Sequence, residues 1–284
     1  MPKLTAATED TSPDWGDYFY NVTDPTGTPA SRRHTAHNML RFRGYIDGLI
    51  LSNDTDADHD IQVGVGLARD SSNSYMLELT TAITKQIDAA WAAGDDAGGL
   101  FSGTVAADTW YHVFLIRKDS DGSIDVGFDT SVTAANIPSG YTAYRRLGSV
   151  LTDSSSNILA FRQHGDYFEW DAPVHDVSGG TLATTATALT LTVPTGVSVC
   201  PRCNLQVVGS DVHVAVWNPG GTDLDVTTVA NRWQQNNTSS GGLGRTHDLP
   251  WTNTSAQIEY DGSSAATYNL MTFGWTDLRG KDAA

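Results

Sequence analysis

TWYHVFLIRKDSDGSIDVGFDTS, residues 109–131, is the stretch whose reading decides the fold class. Two runs of β-branched and aromatic residues flank Asp119-Ser120-Asp121-Gly122. An Asp-Gly pair between such runs marks a tight hairpin, because glycine takes φ > 0 without a Cβ clash. In the first run Trp110, His112, Phe114 and Ile116 fall on one face of a strand, and Tyr111, Val113 and Leu115 on the other. Both faces carry apolar bulk, so the strand is expected to be covered on both sides.

The same pattern extends outward from this hairpin. MLRFRGYIDGLILS (39–52), IQVGVGLA (61–68) and YMLELTT (75–81) read as three strands before it, and YRRLGSVLTD (144–153) and ILAFRQHGDYFEW (158–170) as strands after it. TAITKQIDAAWAAG (81–94) is ambiguous. Ile83, Ile87, Ala90 and Trp91 share one helical face, whereas Ile83, Lys85 and Ile87 alternate as in a strand. DAPVHDVSGGTLATTATA (171–188) loses the apolar pattern and carries Pro173 and Gly179-Gly180, which places a domain boundary there. Beyond it LTLTVPTG, VSVCPRCNLQVV, VHVAVWN, DLDVTTVA, QIEYDG and TYNLMTFGWTDLRG alternate with turn residues. Six or seven strands in about 100 residues is the density of a sandwich. The expectation is an all-β chain of two β-sandwich, jelly-roll-like domains, 39–173 and 174–284, with at most one short helix. Residues 1–38 form an N-terminal arm or attachment segment ahead of them.

Charge narrows the partners. The 284 residues hold 17 Lys and Arg against 33 Asp and Glu, a formal net charge of −16, which repels a phosphate backbone. Nucleic acid is not an expected partner. No apolar run approaches the ~18 residues that span a bilayer, and MPKLTAATEDTSPDW lacks the apolar core of a signal peptide. Neither membrane insertion nor Sec export is expected, and two cysteines cannot build a secreted disulfide framework.

Few residues are arranged for chemistry. NDTDADHD (53–60) alternates Asp54, Asp56, Asp58 and Asp60 like the start of a calcium loop, but His59 and Val65 stand where an EF-hand needs Gly and Glu. A solvated turn is the better reading. His34 and His37 have a metal-like spacing without further ligands, and no Gly-x-Ser-x-Gly elbow occurs. No catalytic residue, metal ligand or cofactor is assigned. Trp217 and Trp275 lie in strand-like runs and are read as core. Trp233 in NRWQQNN and Trp251 in LPWTN lie near strand ends and are candidates for receptor or interface contacts.

Cys200 and Cys203 bracket Pro201-Arg202. Zinc would need two more ligands and a redox pair would need a helix N-terminus, so alternation decides: the two thiols point to opposite faces. Cys203 is then a core residue, and Pro201 marks an edge strand or a bulge. Cys200 falls on the polar face as the candidate for an intersubunit disulfide. Arg145-Arg146, between Tyr144 and Leu147, suits carboxylates of a neighbouring strand or protomer, making the two residues candidates for intersubunit ion pairs.

Residues 75–170, about a third of the chain, resemble a module of tailed-bacteriophage virion proteins found in tail fibres and other tail-associated chains. The resemblance lies in TKQIDAAWAAG, ADTWYHVFLI, GYTAYRRLGSVLTD and ILAFRQHGDYFEW, in that order, and TFGWTDLRG (272–280) resembles the closing strand of such chains. It implies a structural, noncatalytic role in a tail fibre, neck, collar or other appendage. The chain would be made in the host cytoplasm and end in the virion, assembled with itself, a trimer favoured, and with other virion proteins. The alternative is a receptor-binding protein that recognises host surface glycan or protein through 174–284, with 231–244 as the contact segment. A glycan depolymerase of the tailspike kind would need a long β-helix array, and no such repeat is present.

Overall fold

The computed structural model describes residues 18–22, 31–35, 43–232, 234–236 and 245–281. Their regular structure is all β, apart from one 3-10 turn at Val229–Asn231. The first strands are β1 (Tyr18–Val22), β2 (Ser31–Thr35), β3 (Ile46–Gly48), β4 (Leu51–Asn53), β5 (Asp60–Val63), β6 (Gly66–Arg69) and β7 (Met76–Leu79). There follow β8 (Ile83–Ala90), β9 (Ala97–Leu100), β10 (Trp110–Lys118), β11 (Ile124–Asp129), β12 (Tyr141–Leu151), β13 (Phe161–His164) and β14 (Tyr167–Thr181). The last are β15 (Thr187–Thr190), β16 (Cys200–Val208), β17 (Val212–Trp217), β18 (Gln234–Asn236), β19 (Arg245–Asp248), β20 (Gln257–Gly262) and β21 (Thr267–Thr276).

The expected hairpin is β10–β11, with Val113 opposite Phe128 and Leu115 opposite Val126. Its turn closes through Lys118 N to Ser123 O at 2.8 Å, and Gly122 sits at φ 79°. Both faces of β10 are covered: Tyr111, Val113 and Leu115 enter the main core, and Phe114 and Ile116 a smaller one with Ala134 and Tyr141.

This hairpin lies in a seven-stranded mixed sheet, β12-β10-β11-β9-β8-β5-β4. Residues 83–90 are a strand rather than a helix. As a strand, β8 pairs with β5 on one side and β9 on the other, and Lys85 meets Asp125 at 2.9 Å with its side chain buried. The runs 39–52 and 61–68 each turn a corner that their apolar pattern does not announce. Gly48 and Leu49 have φ 63° and 53°, so β3 joins β6 and β7 in a separate sheet while β4 stays with β5 in the large one. Leu49 N to Val65 O (3.1 Å) and Gly64 N to Ile50 O (2.9 Å) pin the bend.

The second half supplies a five-stranded sheet, β13-β14-β21-β16-β19, and a four-stranded sheet, β15-β20-β17-β18. Leu205 and Leu270 of the first and Val214, Ile258 and Tyr260 of the second line one small apolar void, so both sheets contribute to one core. The proposed boundary at 173/174 falls inside β14, which runs unbroken and pairs with β21 from Tyr167 to Thr181 with three register shifts. The two halves also meet through aromatic packing. Trp275 of β21 stacks on Phe168 of β14 at 5.3 Å and stands edge-on to Trp110 of β10 at 5.5 Å, with Trp170 at 5.0 Å. One core cluster therefore runs from Leu49 to Trp275. At the sheet ends, side-chain amides of one strand bond the backbone of the other: Leu51 N donates to Gln163 Oε1 (2.7 Å) and Phe161 N to Asn53 Oδ1 (3.3 Å).

Candidate functional site

A cleft of about 350 Å³ opens where β12 meets the loops of the second half, within the size range of small-molecule sites. Its walls are the 70–75 turn (Ser71, Asn73), Tyr144 and Arg146 of β12, Val132 and Thr133, the 196–198 loop, Thr254, and the 277–280 segment. Short acidic and amide side chains fold each of three rim loops back on themselves. Asp70 accepts from Tyr75 N at 2.6 Å and from Ser72 N at 3.1 Å. Asp129 accepts from Ser131 N (3.1 Å), Asn136 N (2.9 Å) and Asn136 Nδ2 (2.9 Å). Asn253 Oδ1 accepts from Ser255 N and Gln257 N, and Gly196 N ties two loops together through Thr254 O at 2.7 Å. Such local side-chain turns preform the rim.

Arginines form the floor. Arg146 grips Asp277 in a two-pronged pair, at 2.7 and 2.6 Å, with side chains 11% and 2% exposed. Burial alone would raise the Asp277 carboxyl, but the Arg146 charge and hydrogen bonds bring it below the ordinary carboxylate value. Arg145 donates to Gly44 O (2.9 Å) and Arg69 O (3.4 Å). Arg279, at φ 55°, donates to Leu147 O (2.8 Å) and Leu49 O (2.7 Å). Next to Asn73 the cleft continues into an open depression lined by Arg43 and Arg69, and Arg43 and Lys281 border a third hollow beside it.

Below the floor, Arg146 Nη1 reaches Ser149 Oγ (3.2 Å), and Ser149 Oγ lies 2.8 Å from His112 Nδ1. Asp129, His112 and Ser149 are lateral neighbours across β11, β10 and β12, the residue types of an acyl-transfer triad. Their bonding differs from one. The Asp129 oxygens hold their own loop instead of the imidazole, and Ser149 is fully buried. The row is a polar seam between sheet and cleft.

Burial, aided by the nearby Arg146 charge, pushes His112 down to about 4. The unfolded chain takes up this proton near the ordinary histidine value of about 6.5, whereas the folded chain does so only near 4. The stabilisation is therefore complete above about pH 6.5 and declines as the pH falls toward 4, by roughly 3 kcal/mol at 1.36 kcal/mol per pH unit. Denaturant unfolding at pH 7 and 4.5 should show wild-type stability falling with acid more steeply than that of His112→Gln. Equal slopes would remove His112 from the acid response.

No family model, curated protein or solved structure matches this chain.

The residues singled out in the sequence are dispersed. Arg145 and Arg146 belong to the cleft, but their hydrogen bonds, and the Arg146 ion pair, lie within the chain. Cys203 is buried, its thiol 3.2 Å from Thr272 Oγ1, and burial pushes it up to about 12. Cys200 faces the other way, as alternation requires, and is half-buried, with Sγ donating to Leu249 O at 3.1 Å. Its strand is not an edge: β16 lies between β21 and β19, and a register shift sits at Arg202/Cys203, one residue beyond Pro201. Burial raises the Cys200 thiol as well, which lowers its thiolate fraction. Trp251 is half-buried in the β19–β20 connection, while Trp217 and Trp275 are core. Trp233, like His37 and most of 231–244, lies outside the described residues. Asp54, Asp56 and Asp58 occupy the β4–β5 turn and Asp60 opens β5; Asp56 bonds His59 at 3.0 Å, and no described group of three acidic, His or Cys residues is set to hold a metal.

Asp277, Arg279, Asn73 and Tyr144 carry no local signature in the sequence. The nearest thing to one is TDLRG after the last apolar strand, two charged residues on either side of Leu278.

Proposed function

We propose that this protein is a noncatalytic structural component of a bacteriophage virion, a tail fibre, neck or collar, or other appendage, assembled as a homo-oligomer with a trimer favoured. The observation that carries the reading is the strand order of residues 167–276. From β14 to β21 the strands fall in the first, second, first, second, second, first, second and first sheet, in the orders β14-β21-β16-β19 and β15-β20-β17-β18. That order supports an eight-stranded jelly roll, an architecture used by viral capsid and lectin domains. Fold alone does not assign function. The virion resemblance of residues 75–170 supplies the rest, because that segment contributes β7 to β13 and core residues from Leu77 to Trp170 that share one cluster with those of the jelly roll.

The buried edge of β12 fits an assembly component. An 11-residue edge strand invites uncontrolled pairing, and here Ser71 N bonds Tyr144 O (2.7 Å), Leu159 N bonds Leu151 O (2.8 Å) and Arg279 Nε bonds Leu147 O (2.8 Å). Association is thereby directed to other surfaces.

Light scattering on the purified chain should give a discrete oligomer, a trimer first, and antibody against residues 167–276 should decorate intact particles of the encoding phage at one position. A stable monomer together with undecorated particles would overturn the reading.

A further inference from the structure

We propose that the cleft beside Tyr144 binds a short, neutral saccharide. The proposal goes beyond the virion reading and does not depend on it. The charged groups of the cleft are already used inside the chain. Arg146 holds Asp277 through two hydrogen bonds, Arg145 donates to Gly44 O and Arg69 O, and Arg279 donates to Leu147 O and Leu49 O. Asp277 also accepts from Arg279 N at 2.7 Å. Alongside these three arginines stand three carboxylates, Asp277 on the floor and Asp70 and Asp129 in the rim loops. The walls of the cleft thus carry no formal excess of either sign.

The groups left for a ligand are neutral. Among the described residues no hydrogen bond engages the hydroxyls of Ser71, Thr254 and Tyr144, which border the opening. Asn73 accepts from Gly44 N through Oδ1 (2.9 Å), which leaves its amide Nδ2 to donate. Between these polar points lies apolar surface: the Tyr144 ring, fixed edge-on to Phe114 at 5.6 Å, and half-buried Val132, Val197 and Leu278. An apolar ligand would strip water from the hydroxyls without replacing its hydrogen bonds, at a cost for each. An ion would meet guanidinium and carboxylate groups that are already bonded. A sugar satisfies both kinds of surface, because each of its hydroxyls donates and accepts as those of Ser, Thr and Tyr do, and the C–H face of its ring covers apolar side chains. A volume of about 350 Å³ is at the small end for ligand sites and suits a short saccharide. The preformed rim loops limit the ordering cost of binding.

NMR titration of the full chain would use glucose, galactose, mannose, N-acetylglucosamine, maltose and lactose, with glucuronic acid and sulfate as charged controls. At least one neutral sugar should bind saturably, with a Kd below about 10 mM, and more tightly than either control. Its affinity should stay within about twofold as NaCl is raised from about 50 to about 500 mM, since no net charge is engaged. Ser71 and Thr254 are exposed, so Ser71→Ala and Thr254→Val should leave folding intact and weaken binding by about threefold to tenfold each. Tyr144→Phe, which keeps the ring, should lose a similar factor, and Tyr144→Leu should lose about tenfold or more. The proposal is overturned if no neutral sugar binds at about 10 mM, if glucuronic acid or sulfate binds more tightly than every neutral sugar, or if the Ser71 and Thr254 variants bind like wild type.

Discussion

Replacing Asp277 with alanine is expected to cost roughly 3–5 kcal/mol, because it strands the Arg146 guanidinium in a site where its carboxylate partner is almost fully buried. In a chain of this size that corresponds to a fall in melting midpoint on the order of 10 °C. Desolvation explains the asymmetry: removing one partner leaves an uncompensated charge, whereas removing both leaves neutral groups to re-satisfy, the Arg279 N–H that bonds Asp277 and the Ser149 hydroxyl that bonds Arg146. The double variant Arg146→Met, Asp277→Leu should therefore recover more than half of the loss. The pH dependence follows from the Asp277 carboxyl lying below its ordinary value in the fold. A depressed carboxyl stabilises fully above its unfolded value and loses that stabilisation only as the pH falls through the folded one, so the deficit of Asp277→Ala should stay constant from neutral pH down to about 5. Denaturant unfolding of the wild type, the single variant and the double variant reads all of this. A single-variant loss below about 1 kcal/mol, or a double variant no better than the single, would show that the pair does not hold the cleft floor.

Trp275→Ala should be as damaging, at roughly 3–5 kcal/mol, since it removes the ring on which Phe168, Trp170 and Trp110 converge. The informative part is the shape of the transition. Trp110 belongs to the seven-stranded sheet and Phe168 and Trp275 to the five-stranded one, so both halves should unfold together, at one lowered midpoint. Two separated calorimetric transitions would mean that the shared core does not couple them. Trp275→Phe should cost much less than Trp275→Ala. It keeps most of the stacking area and removes an indole N–H that, fully buried, finds no acceptor among the described residues.

The β10–β11 hairpin and the alternation of 200–208 were legible because each is written in consecutive residues: an Asp-Gly turn in one, and period-two burial from Pro201 to Val207 in the other. The all-β class followed from them. Residues 83–90 stayed ambiguous because one apolar spacing satisfies both periods; the partner that makes Lys85 tolerable inside a strand, Asp125, is 40 positions away. The corner at Gly48-Leu49 was hidden because a leucine takes the left-handed conformation there, a choice that sequence pattern does not favour. Loss of apolar pattern after Trp170 suggested a boundary, yet β14 continues through it as a strand of exposed and half-buried residues in irregular order, paired with β21 across three register shifts. The cleft was the least legible feature. Arg146 and Asp277 are 131 residues apart, and Arg279 and Leu49 are 230 apart, so no local window contains the site.

That last separation sets a clock during synthesis. Translation at about 5–20 residues per second leaves roughly 10–50 s between the emergence of Leu49 and that of Arg279, which bonds its carbonyl. Throughout that interval the edge of β12 lacks the contact at Leu147, and the Arg146 side chain lacks Asp277. Nascent or prematurely terminated chains thus present an open edge and an uncompensated buried cation, features that chaperones and proteases act upon. Closure of the segment at 277–280 hides both, so the fold carries its own mark of completion through that point.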